Sequence, residues 1–406
     1  MEYEVFELDN GIKCVLGRVR SAVLHCGLTI GAGTRDEADN EHGMAHFIEH
    51  LLFKGTAKRR AYHINSLLDN VGGELNAYTT KEETVVHATV LKGDYAKAAD
   101  LIADVVFNSL FAERDIETER GVIIDEINSY KDSPSEAIYD DFEDMVFAGS
   151  SLGRNILGTR RSISRFRSDD LRRFVERHYT TDRMVFSVVG NVSSARFRQV
   201  AHDKFGRLPA RRSAVVRQGV APYVTGNDKV SKGTYQSHFI MGGRSCSCLS
   251  HDRTAVALMV NVLGGMSSGS RLNVALRERN GLCYSVEAGF ASYCDTGVVT
   301  VCFGCDKENL CQCCDLAVSE IERMKNEPLT PRALAMAKKQ LLGQIVIASE
   351  NAESLMLSAG KSMLVYGQVE SYEGLKARVD AVTADDICRC AATVFDQDNL
   401  SSLTYI

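Results

Sequence analysis

His46-Phe47-Ile48-Glu49-His50 gathers two imidazoles and a carboxylate within five residues. On a helix the two histidines, four apart, stand on one face one turn from each other. Zinc in catalytic sites takes three protein ligands and keeps a fourth position for water, so this pair supplies two ligands and leaves one to be found. Glu49 would face that water, where a general base has to sit. H-x-x-E-H is the inverted order of the commoner H-E-x-x-H pattern. From the His and Glu frequencies of this chain it arises by chance in roughly one or two sequences per hundred, so the rest of the chain must supply the third ligand.

A long helical pattern beginning at Glu113 carries Glu117, Glu119, Asp125 and Glu126 around Val122-Ile123-Ile124. Charges on a surface helix ordinarily serve solubility, and Glu117 and Asp125 are read that way. Glu119 and Glu126 are seven residues apart, close to two turns, and share a face. Either could reach the histidine pair. His25, His42, His63, His87, His178, His202, His238 and His251 are read as surface or core residues outside the metal shell. Gly264-Gly265-Met266-Ser267-Ser268-Gly269-Ser270 lacks the lysine and spacing of a phosphate loop and reads as a turn between helices.

The elements that must hold these groups follow from periodicity. Tyr3 to Leu8 and Ile12 to Gly17 flank Asp9-Asn10-Gly11, a strong hairpin signal, and Val23 to Ile30 follows as a third strand. Helices are expected around His42 to Lys54 and Ala61 to Val71, paired strands at Glu74 to Thr79 and Thr84 to Leu91, and long helices at Asp94 to Leu110 and Glu113 to Tyr130.

The chain also repeats itself. Ile163 to Val188 resembles Val379 to Thr404 without gaps, Ser168-Asp169-Asp170-Leu171 lying over Ala384-Asp385-Asp386-Ile387. Both stretches read as a capped amphipathic helix, a turn and a terminal strand. Pro209 and Pro222 bracket the aperiodic, basic Ala210-Arg211-Arg212-Ser213. The expected organisation is therefore an N-terminal domain over 1–208, a linker over 209–229 and a homologous C-terminal domain over 230–406. The expected fold class is α+β: two duplicated domains in a clamshell-like arrangement, each a mainly antiparallel sheet packed with helices.

At 406 residues and a net charge of -6, the chain gives no electrostatic reason to expect nucleic acid or a membrane surface as a partner. Its start, Met1-Glu2-Tyr3-Glu4-Val5-Phe6-Glu7, is acidic and alternating, unlike a signal peptide, and no stretch has the 18 or so apolar residues of a membrane span. A soluble, cytoplasmic protein is expected. Of the 13 cysteines only Cys14 and Cys26 precede Cys246; an odd number without an export signal points to reduced thiols. Cys302, Cys305, Cys311, Cys313 and Cys314 could be weighed as a second zinc site, but they fall at strand and helix spacings that favour core packing.

His46 to Thr56 (HFIEHLLFKGT), then Leu75-Asn76-Ala77-Tyr78-Thr79, then Glu119-Arg120-Gly121-Val122-Ile123-Ile124-Asp125-Glu126 resembles the inverted-motif zinc metallopeptidases of the pitrilysin type. These include insulin-degrading enzyme and the mitochondrial processing peptidase, whose β subunit and short bacterial relatives look most similar. The resemblance implies one zinc ion per chain held by His46, His50 and Glu126, with Glu49 as general base and Glu119 as a supporting catalytic acid. It implies that Asn76 and Ala77 lie on an edge strand that pairs with substrate. In the second half, Val256, Met259 and Val260 fall where His46, Glu49 and His50 stand, and Gln344 falls against Glu126, so no zinc is expected there. That half carries Arg277 and Tyr284, seven apart, which resemble a substrate-binding Arg/Tyr pair that reaches across a closed chamber. The implied activity is zinc metalloendopeptidase action on extended, unfolded peptides. One chain holds two of the four homologous domains of the family's chamber, so a homodimer, or a heterodimer with a homologous chain, is implied. The alternative is a non-catalytic or partner-dependent subunit of a processing-peptidase-like complex. Such chains have usually lost one or more of the four motif residues, all of which are present here.

Overall fold

A computed structural model describes residues 2–406. The first sheet contains β1 (Tyr3–Glu7), β2 (Lys13–Arg18), β3 (Val23–Ile30), β4 (Glu74–Thr79), β5 (Thr84–Leu91) and β6 (Met184–Gly190), in the order β1-β2-β6-β3-β5-β4. The second contains β7 (Asn227–Val230), β8 (Ser237–Ser245), β9 (Cys283–Ser292), β10 (Gly297–Cys305) and β11 (Ser401–Tyr405), in the order β7-β11-β8-β10-β9.

Both sheets follow one plan. In the first, β2 runs parallel to β6 and every other pairing is antiparallel. In the second, β7 runs parallel to β11, and the remaining pairings are again antiparallel. Strand for strand, β2, β6, β3, β5 and β4 correspond to β7, β11, β8, β10 and β9, with β1 as an addition. The chain is thus a duplicated α+β fold, as its internal repeat leads one to expect. The repeated segments form the helices Ser168–His178 and Ala384–Val394, each followed by the strand that enters its sheet centrally.

Local chemistry explains the element ends. Gly11 adopts φ +94° in the β1–β2 hairpin, and the Asn10 side chain accepts from the Ile12 amide at 3.2 Å. In β5, Val86, Ala88 and Val90 enter the core, whereas His87 and Thr89 take the opposite face. β3, β4 and β5 have the ends their alternation predicts. The expected helices 61–71, 94–110 and 113–130 are found as Ala61–Asp69, Tyr95–Phe107 and Glu113–Lys131. Gly265 to Ser270 form the turn after the helix Arg253–Gly264.

The chain divides into two compact units, each drawn from several stretches of the sequence. One comprises the chain up to Asn128 with 156–218 and 347–372; the other comprises 129–155, 219–346 and 373–406. Each sheet has two faces to cover, and in each unit the second face is covered by a helix drawn from the other half of the sequence. Ala352–Tyr366 lies on β3 and β6, where Ala359 and Met363 meet Val15 and Val185. Its Gly360 permits that approach, because a Cβ there would stand 2.5 Å from the Thr29 hydroxyl. Pro134–Val146 does the same in the second unit, where Ile138 and Phe142 join Ile240, Leu403 and Tyr405. Within the stretch expected as linker, the Arg211 amide donates to the Thr181 hydroxyl at 2.9 Å, and β7 starts at Asn227.

Every cysteine is a free thiol. Cys283, Cys305 and Cys313 lie in the core of the second unit, Cys302 packs beneath the helix Pro134–Val146, and Cys311 is exposed.

Candidate metal centre

The motif helix, Met44–Leu51, buries Phe47, Ile48 and Leu51 in the core of the first unit, which turns Glu49 and His50 the other way. An eight-residue helix is marginal alone, and its first amides have no partners within it. Glu37 supplies them: its two carboxylate oxygens accept from the amides of Gly43, at 2.9 Å, and Ala45, at 2.8 Å. Gly43 sits at φ +89° against Gly158, and a Cβ on it would come within 2.7 Å of the Gly158 Cα. Only glycine fits that entry, which is why the helix begins at Met44 rather than at the expected His42.

His46 and His50 then lie one turn apart, with ring centroids 4.6 Å from each other. The helix Glu113–Lys131 buries Ile116, Ile123 and Ile127, and this orientation brings Glu126 to the pair. Oε2 of Glu126 is 3.6 Å from Nε2 of His50 and 3.8 Å from Nε2 of His46. One donor atom from each of the three lies within 4.8 Å of the others. Ligands on arms of 2.0 to 2.1 Å at the corners of a tetrahedron stand about 3.4 Å apart, so the three need only small movements to close on a zinc ion. Burial, reinforced by the neighbouring His50, pushes His46 down to about 4. Its imidazole is therefore neutral near pH 7, the form that binds cations. Nε2 of His46 is the nitrogen that faces Glu126, and its Nδ1 is buried without a hydrogen-bond partner among the described residues.

Glu119 takes the other nitrogen of His50. Its Oε2 is 3.3 Å from Nδ1, and its Oε1 is 2.7 Å from Nζ of Lys54, although only 3 % of the residue is exposed. The two acids that share a helix face thus meet the same imidazole from different sides. Burial raises the Glu49 carboxyl above its ordinary value, and Thr79 at the end of β4 partly offsets this.

Asn76 and Ala77 lie on β4, the edge of the first sheet, opposite His87 and Val86 of β5. Ala77 packs on the core and Asn76 is exposed. The motif helix rests on this strand. Arg277 and Tyr284 belong to the second unit. Arg277 lies in the short helical turn Asn273–Glu278 and pairs with Glu278 at 2.7 Å; Tyr284 is on the edge strand β9, 85 % exposed. Val256, Met259 and Val260 are buried on the helix Arg253–Gly264, so the positions that answer to His46, Glu49 and His50 hold apolar side chains, and Gln344 is on Pro331–Ala348.

Two contributors escape a reading by motif. Glu37 lies in a loop, and its only signal is that His42-Gly43 offers the helix no capping side chain. Lys54 is four residues beyond His50, the spacing that shares a helix face, and could have been noted on that ground.

Residues 19–160 match the description Insulinase (Peptidase family M16), and residues 165–341 match Peptidase M16 inactive domain. An uncharacterised zinc protease of Streptomyces coelicolor is 35 % identical over 95 % of this chain and 86 % of its own length. The uncharacterised zinc protease YmxG of Bacillus subtilis is 32 % identical over 97 % of this chain and 96 % of its own. The crystal structure of a protease from Helicobacter pylori superposes with a TM-score of 0.93 at 19 % identity, over 100 % of this chain and 99 % of that one. That last likeness bears on fold alone. With relatives above 30 % identity matched almost end to end, and with both halves matching, the chain belongs to the insulinase family of peptidases, family M16.

Proposed function

We propose that the protein is a zinc metalloendopeptidase that hydrolyses extended, unstructured peptides, with one zinc ion held by His46, His50 and Glu126. The observation that carries this is the convergence of those three side chains beside Glu49, whose carboxyl is raised by burial. The zinc-protease names of relatives matched over nearly the whole chain support it. Bound there, zinc would supply Lewis acidity and lower the pKa of water. Glu49 takes the proton from the attacking water at its carboxylate and returns it to the leaving amine. Glu119 keeps His50 oriented. Asn76 and Ala77 offer their backbone to the peptide as an added strand, which gives affinity for extended chains with little sequence choice. Arg277 and Tyr284 are donors for the substrate, the phenol being exposed.

Among the described residues no helix is long and apolar enough to cross a membrane. We place the enzyme in the cytoplasm, as a homodimer or as a heterodimer with a homologous chain. A second reading, a non-catalytic subunit, draws on the match of the second half to an inactive domain. It is disfavoured by the ligand set and Glu49 standing together in the first unit. Incubating the purified protein with a library of unstructured peptides, with and without a zinc chelator, tests the choice. Cleavage that stops with chelator and returns with zinc supports the peptidase; no cleavage under any metal condition favours the subunit.

A further inference from the structure

The geometry points to Lys54 as a positioning residue that acts on His50 through Glu119, an inference that rests on the zinc reading above. Lys54 follows the motif helix, four residues after His50, and its ammonium holds Oε1 of Glu119 at 2.7 Å. Oε2 of the same carboxylate faces Nδ1 of His50 at 3.3 Å. One acid is therefore gripped at both oxygens. Glu119 is buried, with 4 % of its side chain exposed, while the Lys54 side chain is 39 % exposed and reaches the acid from the surface.

The consequence is chemical. A carboxylate only accepts, so the His50 nitrogen that faces it carries the hydrogen, and Nε2, 3.6 Å from Glu126, keeps its lone pair for a cation. Terminal carboxylate torsions are broad, so an acid held by the imidazole alone is free to turn. Lys54 removes that freedom and supplies the opposite charge that a buried carboxylate needs. Among the described residues no side chain gives His46 the same support. The orientation of the His50 ring is therefore set through Glu119, and Lys54 is where that support begins.

The test is zinc affinity of the full chain, read by competition with a chromogenic chelator. Lys54→Met should weaken zinc binding by roughly 10- to 100-fold, the usual effect of losing an outer partner of a metal-bound histidine. Lys54→Arg should recover most of the loss, because it restores the cation. Because the lysine acts through the acid, the double variant with Glu119→Gln should bind no more weakly than Glu119→Gln alone. Unchanged affinity in Lys54→Met, or losses that multiply in the double variant, would overturn the inference. Should Lys54→Met not fold, Lys54→Gln keeps a donor without the charge and is read for the same two outcomes. A wild-type chain that binds no zinc would instead remove the proposed function itself, and this inference with it.

Discussion

Glu37 accepts a hydrogen bond from the Ala45 amide at 2.8 Å, so a buried loop carboxylate closes the N-terminus of the helix that carries the histidine pair. It also favours the positive end of the helix dipole. The orientation of His46 and His50 therefore depends on a residue nine positions before the first of them.

Replacing Glu37 with Ala should lower unfolding stability by about 1 to 3 kcal/mol, the range for losing a buried charged cap. Urea midpoints of the two proteins would show it, with the slope unchanged. Equal midpoints would mean that the cap contributes nothing.

Replacing Glu49 with Gln should lower cleavage of an unstructured peptide by about 100-fold or more, the scale of lost general base catalysis. Zinc content, measured on the same material, should stay near one per chain. Loss of the metal would instead make Glu49 a ligand.

Replacing Glu126 with Gln should cost the metal, because the acid faces both imidazole Nε2 atoms. Elemental analysis of the purified variant decides this. A variant that keeps full zinc would move the third ligand elsewhere, with Glu119 the first residue to examine.

His178 gives a pH prediction away from the candidate metal centre. Burial, aided by Arg177 beside it, pushes its imidazole from an ordinary 6.5 down to about 4. Above pH 6.5 the group is neutral in both states and costs nothing. As pH falls from 6.5 toward 4, the unfolded chain takes up the proton first, and stability drops by roughly 3 kcal/mol in all. Urea unfolding of His178→Gln at several pH values should show a correspondingly flatter profile than the wild type. Parallel profiles would sink the assignment.

Much of this protein could be read from local spacing. The edges of β3, β4 and β5 and the helical run through His46 and His50 follow from periodicity, because alternation and the helical turn are set by a residue's nearest neighbours. The repeat announced the duplication, since two segments with the same pattern of caps and apolar positions fold alike. The same reasoning left Glu119 and Glu126 equivalent, for a shared helix face does not say what lies opposite it.

Tertiary packing made the distinction. Burial of Ile116, Ile123 and Ile127 sets the rotation of their helix, which brings Glu126 to the Nε2 side of His50 and Glu119 to Nδ1. It also recruited Glu37 and Lys54. The helices Pro134–Val146 and Ala352–Tyr366 were assigned by packing alone to sheets built from the other half of the chain. An amphipathic sequence states that a face must be covered, and not which partner covers it. That choice is made by the shape and area available once both sheets exist, through contacts between residues far apart in the chain.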